Sequence, residues 1–309
     1  MRQMAKPAGY LGPIVAAVRI LRRFRDRWKW PLQMLMACIL LIGLVWAWSN
    51  LDLNVSHLSG SALAVLVLVA VPTAVAHNAW NMIELGRAFD VKIEAKTALR
   101  AASWSQIAEL LPIPGGAIVR TSLLVQNGVK LARSAELVTL QALIWTSFGL
   151  LGGGIALLGN SVAAGGLIAS GAFAIVALAI LVWKRFCVQT AARALGLRLI
   201  GMALFALRMK CAFAVIGIIL PVSAAFGFAA AAIAGSSVSI APGGLGLSEG
   251  IAALLAAQIG ISAAAAFIAV ALSRLAGLAL NMLIVVLLPS EALPEAMQCG
   301  RSNPRIDRQ

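Results

Sequence analysis

The chain has 309 residues, of which 61% are hydrophobic and 12% are charged, and its mean hydropathy is +0.94. These values exclude a soluble domain of this size and predict a multi-pass membrane protein. The formal charge is +14, from 25 Lys and Arg against 11 Asp and Glu. Because the basic residues fall in short loops and near the termini, we attribute them to membrane topology and expect no nucleic-acid partner.

The N-terminal segment, residues 1–30, is basic and is expected in the cytoplasm. Apolar residues recur in it at helical spacing, at Ile14, Val18, Leu21 and Phe24, with arginines and lysines between them. This pattern is typical of an amphipathic helix that lies on an anionic leaflet. It is equally typical of a positively charged segment that only sets the topology.

A single transmembrane domain of all-α fold is predicted over residues 31–290. Six apolar segments each have about the 20 residues that a helix needs to cross a bilayer. Their predicted bounds are 31–49, 58–81, 137–158, 164–183, 199–220 and 263–288. The basic tail, residues 291–309, is then expected in the cytoplasm, like the N-terminus.

Two further apolar segments are interrupted by proline and glycine. The first reads Glu109-Leu110-Leu111-Pro112-Ile113-Pro114-Gly115-Gly116, with Arg120 four residues later, and the second reads Pro242-Gly243-Gly244-Leu245-Gly246-Leu247-Ser248-Glu249. Such breaks leave backbone amides unpaired, which is tolerated at membrane depth only where the backbone faces protein or a water-filled cavity. Two broken segments in corresponding halves of a chain indicate a transport site at the bilayer midplane.

The basic residues predict how these two segments enter the membrane. Both flanks of the first are basic, whereas residues 211–273 around the second contain neither Lys nor Arg. We therefore predict two re-entrant helical hairpins, the second over about residues 222–259, that enter from opposite sides. Each half, about 31–160 and 161–290, then holds three spans and one hairpin, and the odd number of spans makes the repeat an inverted one.

The candidate substrate-binding residues lie at the two breaks. Arg120 comes about one helical turn after the first break, where its guanidinium and free backbone amides would hold an anion; alternatively, it snorkels to the interface. Arg274 lies inside the last apolar segment, where an unpaired arginine costs at least about 2.5–3.5 kcal/mol. Glu249 is its predicted partner, and Glu109 is the alternative. The predicted set is Arg120, Arg274, Glu109, Glu249, Pro114, Gly115, Gly116, Pro242, Gly243, Gly244 and Gly246.

The pairing of Arg274 with Glu249 has three interpretations at this point. It is a structural salt bridge, it releases the arginine to an anionic headgroup, or its carboxylate titrates and couples transport to protons. Arg208 and Lys210 are either interfacial or buried, and the interfacial position is favoured. The four cysteines and two histidines show no metal-ligand spacing, so we expect free thiols and neither a metal nor a cofactor.

These motifs resemble those of the lysylphosphatidylglycerol synthase transmembrane (flippase-like) family. The resemblance rests on the second broken segment, on Gly260-Ile261 and Arg274 after it, and on Pro114-Gly115-Gly116 followed by Arg120, and it extends over about residues 31–288. The chain departs from the family where an arginine often follows the first hairpin, because Gln141 stands near that position. The chain ends at Gln309 without a soluble aminoacyl-transfer domain, so we expect the membrane part alone rather than the synthase.

The resemblance implies movement of lipids or lipid-linked intermediates across the bacterial cytoplasmic membrane. Some small members of the family are associated with hopanoid or other isoprenoid-lipid pathways, and others with polyprenyl-phosphate glycosyl transfer. Anionic lipid headgroups are therefore the expected partners, with a second copy of the chain or lipid-pathway enzymes as further ones. The alternative is a membrane enzyme or enzyme subunit that transfers a sugar or headgroup from a lipid-phosphate donor, and a third reading is an assembly factor that binds partner helices.

Overall fold

The computed structural model describes residues 58–110, 114–159, 161–237, 244 and 246–288, together with residues 38, 41–43, 45–47 and 49. The predicted amphipathic segment, much of the first predicted span, the tail, Pro242 and Gly243 lie outside the described residues. Within the described part, every regular element is a helix. The helices are α1 (Gly60–Arg87), α2 (Ala95–Ala108), α3 (Gly115–Gln126), α4 (Leu131–Ala156), α5 (Ala163–Arg185), α6 (Val188–Val215), α7 (Val222–Ser237), α8 (Leu247–Gln258) and α9 (Ala263–Leu287).

Five of these helices, α1, α4, α5, α6 and α9, are long and apolar enough to cross a membrane. Their 23 to 28 residues correspond to about 35–42 Å at ~1.5 Å per residue, more than the ~30 Å hydrocarbon core of a bilayer. The all-helical architecture of a multi-pass membrane protein is thus confirmed in its coarse form. Helix α1 contains one π-helical turn, Leu66–Ala70, just before Pro72, because proline has no N–H to donate to the preceding turn.

The predicted bounds of the fifth span, 199–220, are wrong. Helix α6 begins at Val188, where the Cys187 sulfur accepts the backbone N–H of Thr190, and ends at Val215, just before Gly217 with its φ of +80°. The hydropathy pattern placed the start of α6 too late, because it treats a charged residue as the sign of a loop. Arg198 is charged but is buried within the helix.

The two interrupted segments form helical hairpins. Helix α2 packs against α3, and α7 packs against α8. With 12 to 16 residues each, these four helices reach only about 18–24 Å, less than the ~30 Å of the hydrocarbon core. Helix α4 packs against α7, and α9 packs against α2. Each hairpin therefore lies against the long helix that follows the other hairpin.

Basic and acidic side chains gather at one end of the bundle. The Glu84 carboxylate forms ion pairs with Arg87 and Arg193, the latter at 3.6 Å. The Glu136 carboxylate lies 3.1 Å from Arg133 and 3.7 Å from Arg185. These contacts join the end of α1 to the start of α6, and the start of α4 to the end of α5. At the other end, the backbone N–H of Ser59 before α1 donates to the Val215 carbonyl at the end of α6, at 3.0 Å.

Candidate functional site

The guanidinium of Arg274 on α9 contacts three residues at the second break. Its Nη1 lies 3.0 Å from the Gly244 carbonyl oxygen, 3.1 Å from Ser248 Oγ and 3.3 Å from Glu249 Oε1. The Glu249 side chain is 0% exposed and that of Arg274 is 16% exposed. The predicted pairing of Arg274 with Glu249 is confirmed, and it takes place inside the helix bundle.

The second break also depends on glycine. Gly244 and Gly246 have φ angles of +69° and +78°, a region that residues with a Cβ seldom occupy. A Cβ at Gly244 would overlap the carbonyl oxygen of Gly235 on α7. The chain can therefore approach α7 only without a side chain at Gly244, and this approach presents the Gly244 carbonyl oxygen to Arg274.

At the first break, Arg120 of α3 turns back towards the residues that precede the break. Its Nη2 lies 3.3 Å from Glu109 Oε1, and its Nε donates to Ser105 Oγ at 3.1 Å. The Ser105 hydroxyl donates in turn to the Gly116 carbonyl at 3.2 Å. The predicted alternative, in which Arg120 snorkels to the interface, is wrong, because the guanidinium points towards the break.

The first ion pair is more open than the second. The side chains of Arg120 and Glu109 are 22% and 38% exposed. Pro114, the N-cap residue just before α3, is exposed, while Gly115 and Gly116 are buried. A Cβ at Gly116 would lie 2.7 Å from Glu109 Oε1, and one at Gly115 would overlap the Ala108 carbonyl. Both glycines thus allow the two helices of this hairpin to approach closely.

The charged residues at the two breaks form two ion pairs, on helices that pack against each other. Helix α9, which carries Arg274, packs on α2, and Glu109 directly follows the last residue of α2. Arg274 pairs with Glu249, and Arg120 pairs with Glu109. The four charged residues that the sequence singled out are therefore all engaged in ion pairs, one pair at each break. Only Pro242 and Gly243 of the predicted set lie outside the described residues.

Two arginines of α6 also contact neighbouring helices inside the bundle, and sequence reasoning did not predict these contacts. Arg198 is 8% exposed and its Nη2 donates to Gln141 Oε1 at 2.9 Å. Arg208 donates to the backbone carbonyl of Ser273 on α9. The favoured interfacial position of Arg208 is thus wrong, because Ser273 lies in the middle of α9 and the Arg208 Nε is buried.

A signal for Arg198 was present in the sequence. Ala191, Ala194, Leu197 and Gly201 are buried at helical spacing around it, which is the pattern of a packed helix face. An arginine was expected near position 141, where the chain has Gln141. The guanidinium at this place comes from Arg198 instead, which donates to the Gln141 amide oxygen. Helix α6 therefore supplies one arginine to α4 and another to α9.

An apolar groove of about 500 Å³ lies beside the second hairpin. It runs along the face of α8 that carries Gly250, Leu254 and Ala257, between Trp46 and the start of α9 at Ala263. Gly250 directly follows the buried Glu249. The lining of this groove suits a hydrocarbon chain rather than a polar ligand.

Across the described ranges of the chain, no three His, Cys, Asp or Glu side chains come together as metal ligands would. Glu84, near the end of α1, is engaged in ion pairs by Arg87 and Arg193. No protein-family model matches this chain, and no curated protein matches it either.

Proposed function

We propose that this protein moves an anionic lipid or lipid-linked intermediate across the bacterial cytoplasmic membrane by flipping or scrambling. The observation that carries the proposal is that each of two helix breaks, inside a bundle of membrane-length helices, has its own arginine–carboxylate pair, Arg120 with Glu109 and Arg274 with Glu249. Charged groups inside a membrane protein mark substrate or ion pathways. The motif resemblance to the flippase-like family, including its hopanoid and isoprenoid-lipid members, points the same way.

An inverted repeat of six spans and two re-entrant hairpins is part of this proposal. Corresponding helices have nearly equal lengths: 28 residues each for α1 and α6, 14 and 16 for α2 and α7, 12 each for α3 and α8, and 26 and 25 for α4 and α9. Gly128 and Gly260 follow α3 and α8 with φ angles of +87° and +73°. The crosswise packing of α4 on α7 and of α9 on α2 also fits two related halves. The helical residues between 38 and 49 would belong to the first predicted span, 31–49, which brings the five described membrane-length helices to six.

The site would work by exchange of partners. Arg274 is held by the Gly244 carbonyl and Ser248 Oγ as well as by Glu249, and a headgroup phosphate is a stronger acceptor than either neutral group. The phosphate would take their place while Glu249 keeps the guanidinium in position. The apolar groove along α8 would accept a hydrocarbon chain of the same lipid. The end of the bundle that carries Arg87, Arg133, Arg185 and Arg193, here called the basic end, would face the cytoplasm, as the positive-inside rule requires.

The test is lipid redistribution in liposomes that contain the purified protein. A fluorescent anionic phospholipid is placed in both leaflets, and an impermeant reductant bleaches the outer leaflet. Protein that moves lipid allows all of the fluorescence to be bleached, whereas protein-free liposomes retain about half of it. The Arg274→Ala variant should behave like the protein-free liposomes. The Arg185→Ala variant is the matched control, because Arg185 is an exposed arginine at the basic end.

The same liposomes separate transport from the enzyme alternative. The labelled lipid is also examined by mass spectrometry for chemical conversion. If it is converted while the liposomes retain as much fluorescence as protein-free liposomes do, the protein is a transferase and the transport proposal is wrong. A pH gradient that changes the rate in one direction only would assign the carboxylates to proton coupling. Bleaching that is equally fast with wild type and Arg274→Ala would contradict the assignment of the site.

A further inference from the structure

A cavity of about 320 Å³ lies at the basic end of the bundle, where the α1–α2 loop meets the turn that joins α3 to α4. Phe89 and Val91 line it from the loop, residues 127–130 line it from the turn, and Arg133 lines it from the first turn of α4. Its volume is at the lower end of the ~300–1,000 Å³ that is typical of ligand pockets. The cavity therefore has room for a small group such as a lipid headgroup.

The described residues that line the cavity include two cations, Lys130 and Arg133, and no carboxylate. Arg133 is held in place by its neighbours. Its Nη1 donates to Glu136 Oε2 at 3.1 Å, its Nη2 donates to the Arg185 carbonyl at 3.1 Å, and its guanidinium carbon lies 4.7 Å from the centre of the Phe186 ring. These two hydrogen bonds leave three of the five N–H donors of an arginine for a ligand. Lys130 is exposed and forms no ion pair among the described residues.

The start of α4 is unfavourable for these two cations unless an anion is present. Lys130 is the N-cap residue, without a side-chain hydrogen bond that caps the helix, and Arg133 lies in the first turn, which contains no acidic residue. The first N–H groups of a helix have no partner within it, and the helix dipole places partial positive charge there. Two basic side chains add to this charge. The positive-inside rule explains basic residues at this end of the bundle, but not their convergence on a cavity.

The position of the cavity along α4 matches the headgroup layer of a bilayer. Helix α4 has 26 residues, or about 39 Å at ~1.5 Å per residue, whereas the hydrocarbon core is ~30 Å thick. If α4 is centred in the membrane, its first turn therefore lies among the headgroups. The first break lies at the start of α3 and the cavity at its end, about 18 Å away for 12 residues. The cavity is thus separate from the Arg120–Glu109 pair.

The remaining walls of the cavity are largely apolar, and they suit a lipid better than an inorganic ion. Phe89 packs edge-on against Phe186 at 5.7 Å between ring centres, and Val91 and Val129 complete the apolar lining. A phospholipid brings glycerol and acyl carbons next to its phosphate, whereas free phosphate has no apolar part to contact these walls. Ammonium and guanidinium groups bind phosphate oxygens through charge-assisted hydrogen bonds. Basic pockets between helices on the cytoplasmic side are typical binding sites for lipid headgroups.

We infer that this cavity binds the headgroup of an anionic phospholipid in the cytoplasmic leaflet, with Lys130 and Arg133 on its phosphate. Phe89, Val91 and Val129 contact its glycerol and first acyl carbons. The inference goes beyond the proposed function, because the site lies at the membrane surface and holds a resident lipid rather than a transported one. It shares with that proposal only the cytoplasmic orientation of the basic end. The bound lipid joins the α1–α2 loop to the start of α4 and so attaches the first hairpin to the leaflet.

The inference is tested by photo-crosslinking of lipids to the purified full-length protein in detergent. The probes are phosphatidylglycerol and phosphatidylcholine, each with the same photoreactive group close to the glycerol, and peptide mass spectrometry locates the crosslinks. Phosphatidylglycerol should label residues 89–91 and 127–133 at a concentration at least about tenfold lower than phosphatidylcholine, a preference of ~1.4 kcal/mol. Inorganic phosphate in millimolar excess should leave this labelling unchanged.

Variants assign the labelling to the two cations. The double variant Lys130→Gln, Arg133→Gln should need about thirtyfold more phosphatidylglycerol for half-maximal labelling, since each basic residue beside an anionic headgroup contributes ~1 kcal/mol. The matched control is the double variant Lys184→Gln, Arg185→Gln, which removes two exposed positive charges at the same end but outside the cavity lining. This control should be labelled like wild type. The comparison of the two lipids on wild-type protein decides the inference if the first variant does not fold.

Three results would overturn the inference. Equal labelling of the cavity by the two lipids would show that the negative charge has no role. Equal loss of labelling in both double variants would show attraction to surface charge without a defined site. Displacement of the lipid by inorganic phosphate would make free phosphate the ligand. In contrast, the expected labelling of a protein that does not redistribute lipid would contradict the proposed function alone and would support this inference.

Discussion

Glu249 binds Arg274 through one carboxylate oxygen and the start of helix α8 through the other. Its Oε1 lies 3.3 Å from Arg274 Nη1, and its Oε2 accepts the backbone N–H of Gly246 at 2.8 Å. A carboxylate in the first turn of a helix also interacts favourably with the helix dipole. Glu249 therefore fixes the position of the guanidinium relative to the broken backbone, and this double role distinguishes it from Glu109.

The Arg274→Ala variant should be strongly destabilised, because it leaves Glu249 buried without its countercharge. Removing one member of a buried ion pair costs about 3–5 kcal/mol. Adding Glu249→Ala should recover most of this loss, apart from about 1 kcal/mol for the lost cap of α8. If Arg274 binds the headgroup, the double variant should fold and yet move no lipid in the bleaching assay. Lipid movement at the wild-type rate by the double variant would show that the Arg274–Glu249 pair is only a structural contact.

The close approach at the second break gives a prediction for glycine substitutions. Gly244→Ala should lower the melting temperature and abolish lipid movement, because its Cβ would overlap the Gly235 carbonyl and its φ of +69° is unfavourable for alanine. Gly165→Ala is the matched control, since Gly165 lies in α5 with open space around it. Alanine there should be neutral or stabilise by up to about 1 kcal/mol through its higher helix propensity.

The positions of both breaks and the Arg274–Glu249 pair were predictable from sequence. Proline and glycine stop a helix through local sterics, and an arginine inside an apolar helix needs a partner wherever it lies. The role of Arg198 was not predictable in this way, because its partner Gln141 is 57 residues away and only packing brings the two together. Hydropathy alone counts each charged residue as exposed, and so it misplaced the start of α6.

The thiol of Cys187, at the basic end of the bundle just before α6, should react at lower pH than an ordinary cysteine. Hydrogen bonds from the Thr190 hydroxyl and backbone N–H to its sulfur hold the pKa of Cys187 below its usual range. A lower pKa leaves more reactive thiolate at neutral pH. The rate of alkylation by iodoacetamide as a function of pH should therefore be half-maximal below pH ~8.5, the usual thiol value. Thr190→Val should shift the profile to higher pH, whereas Thr190→Ser should not.

The inverted repeat predicts that equivalent positions of the two hairpins lie on opposite sides of the membrane. Gln126 and Gln258 are the last residues of the two 12-residue helices α3 and α8, and both are exposed. In a cysteine-free background, Gln126→Cys should react with an impermeant maleimide only in inside-out vesicles, because α3 leads to the basic turn before α4. Gln258→Cys should react only in right-side-out vesicles. The two positions are matched in residue type, helix length and exposure, so a difference in labelling reports the side of the membrane. Reaction of both cysteines from the same side would show that the two halves are parallel, and the proposed inverted repeat with opposed hairpins would be wrong.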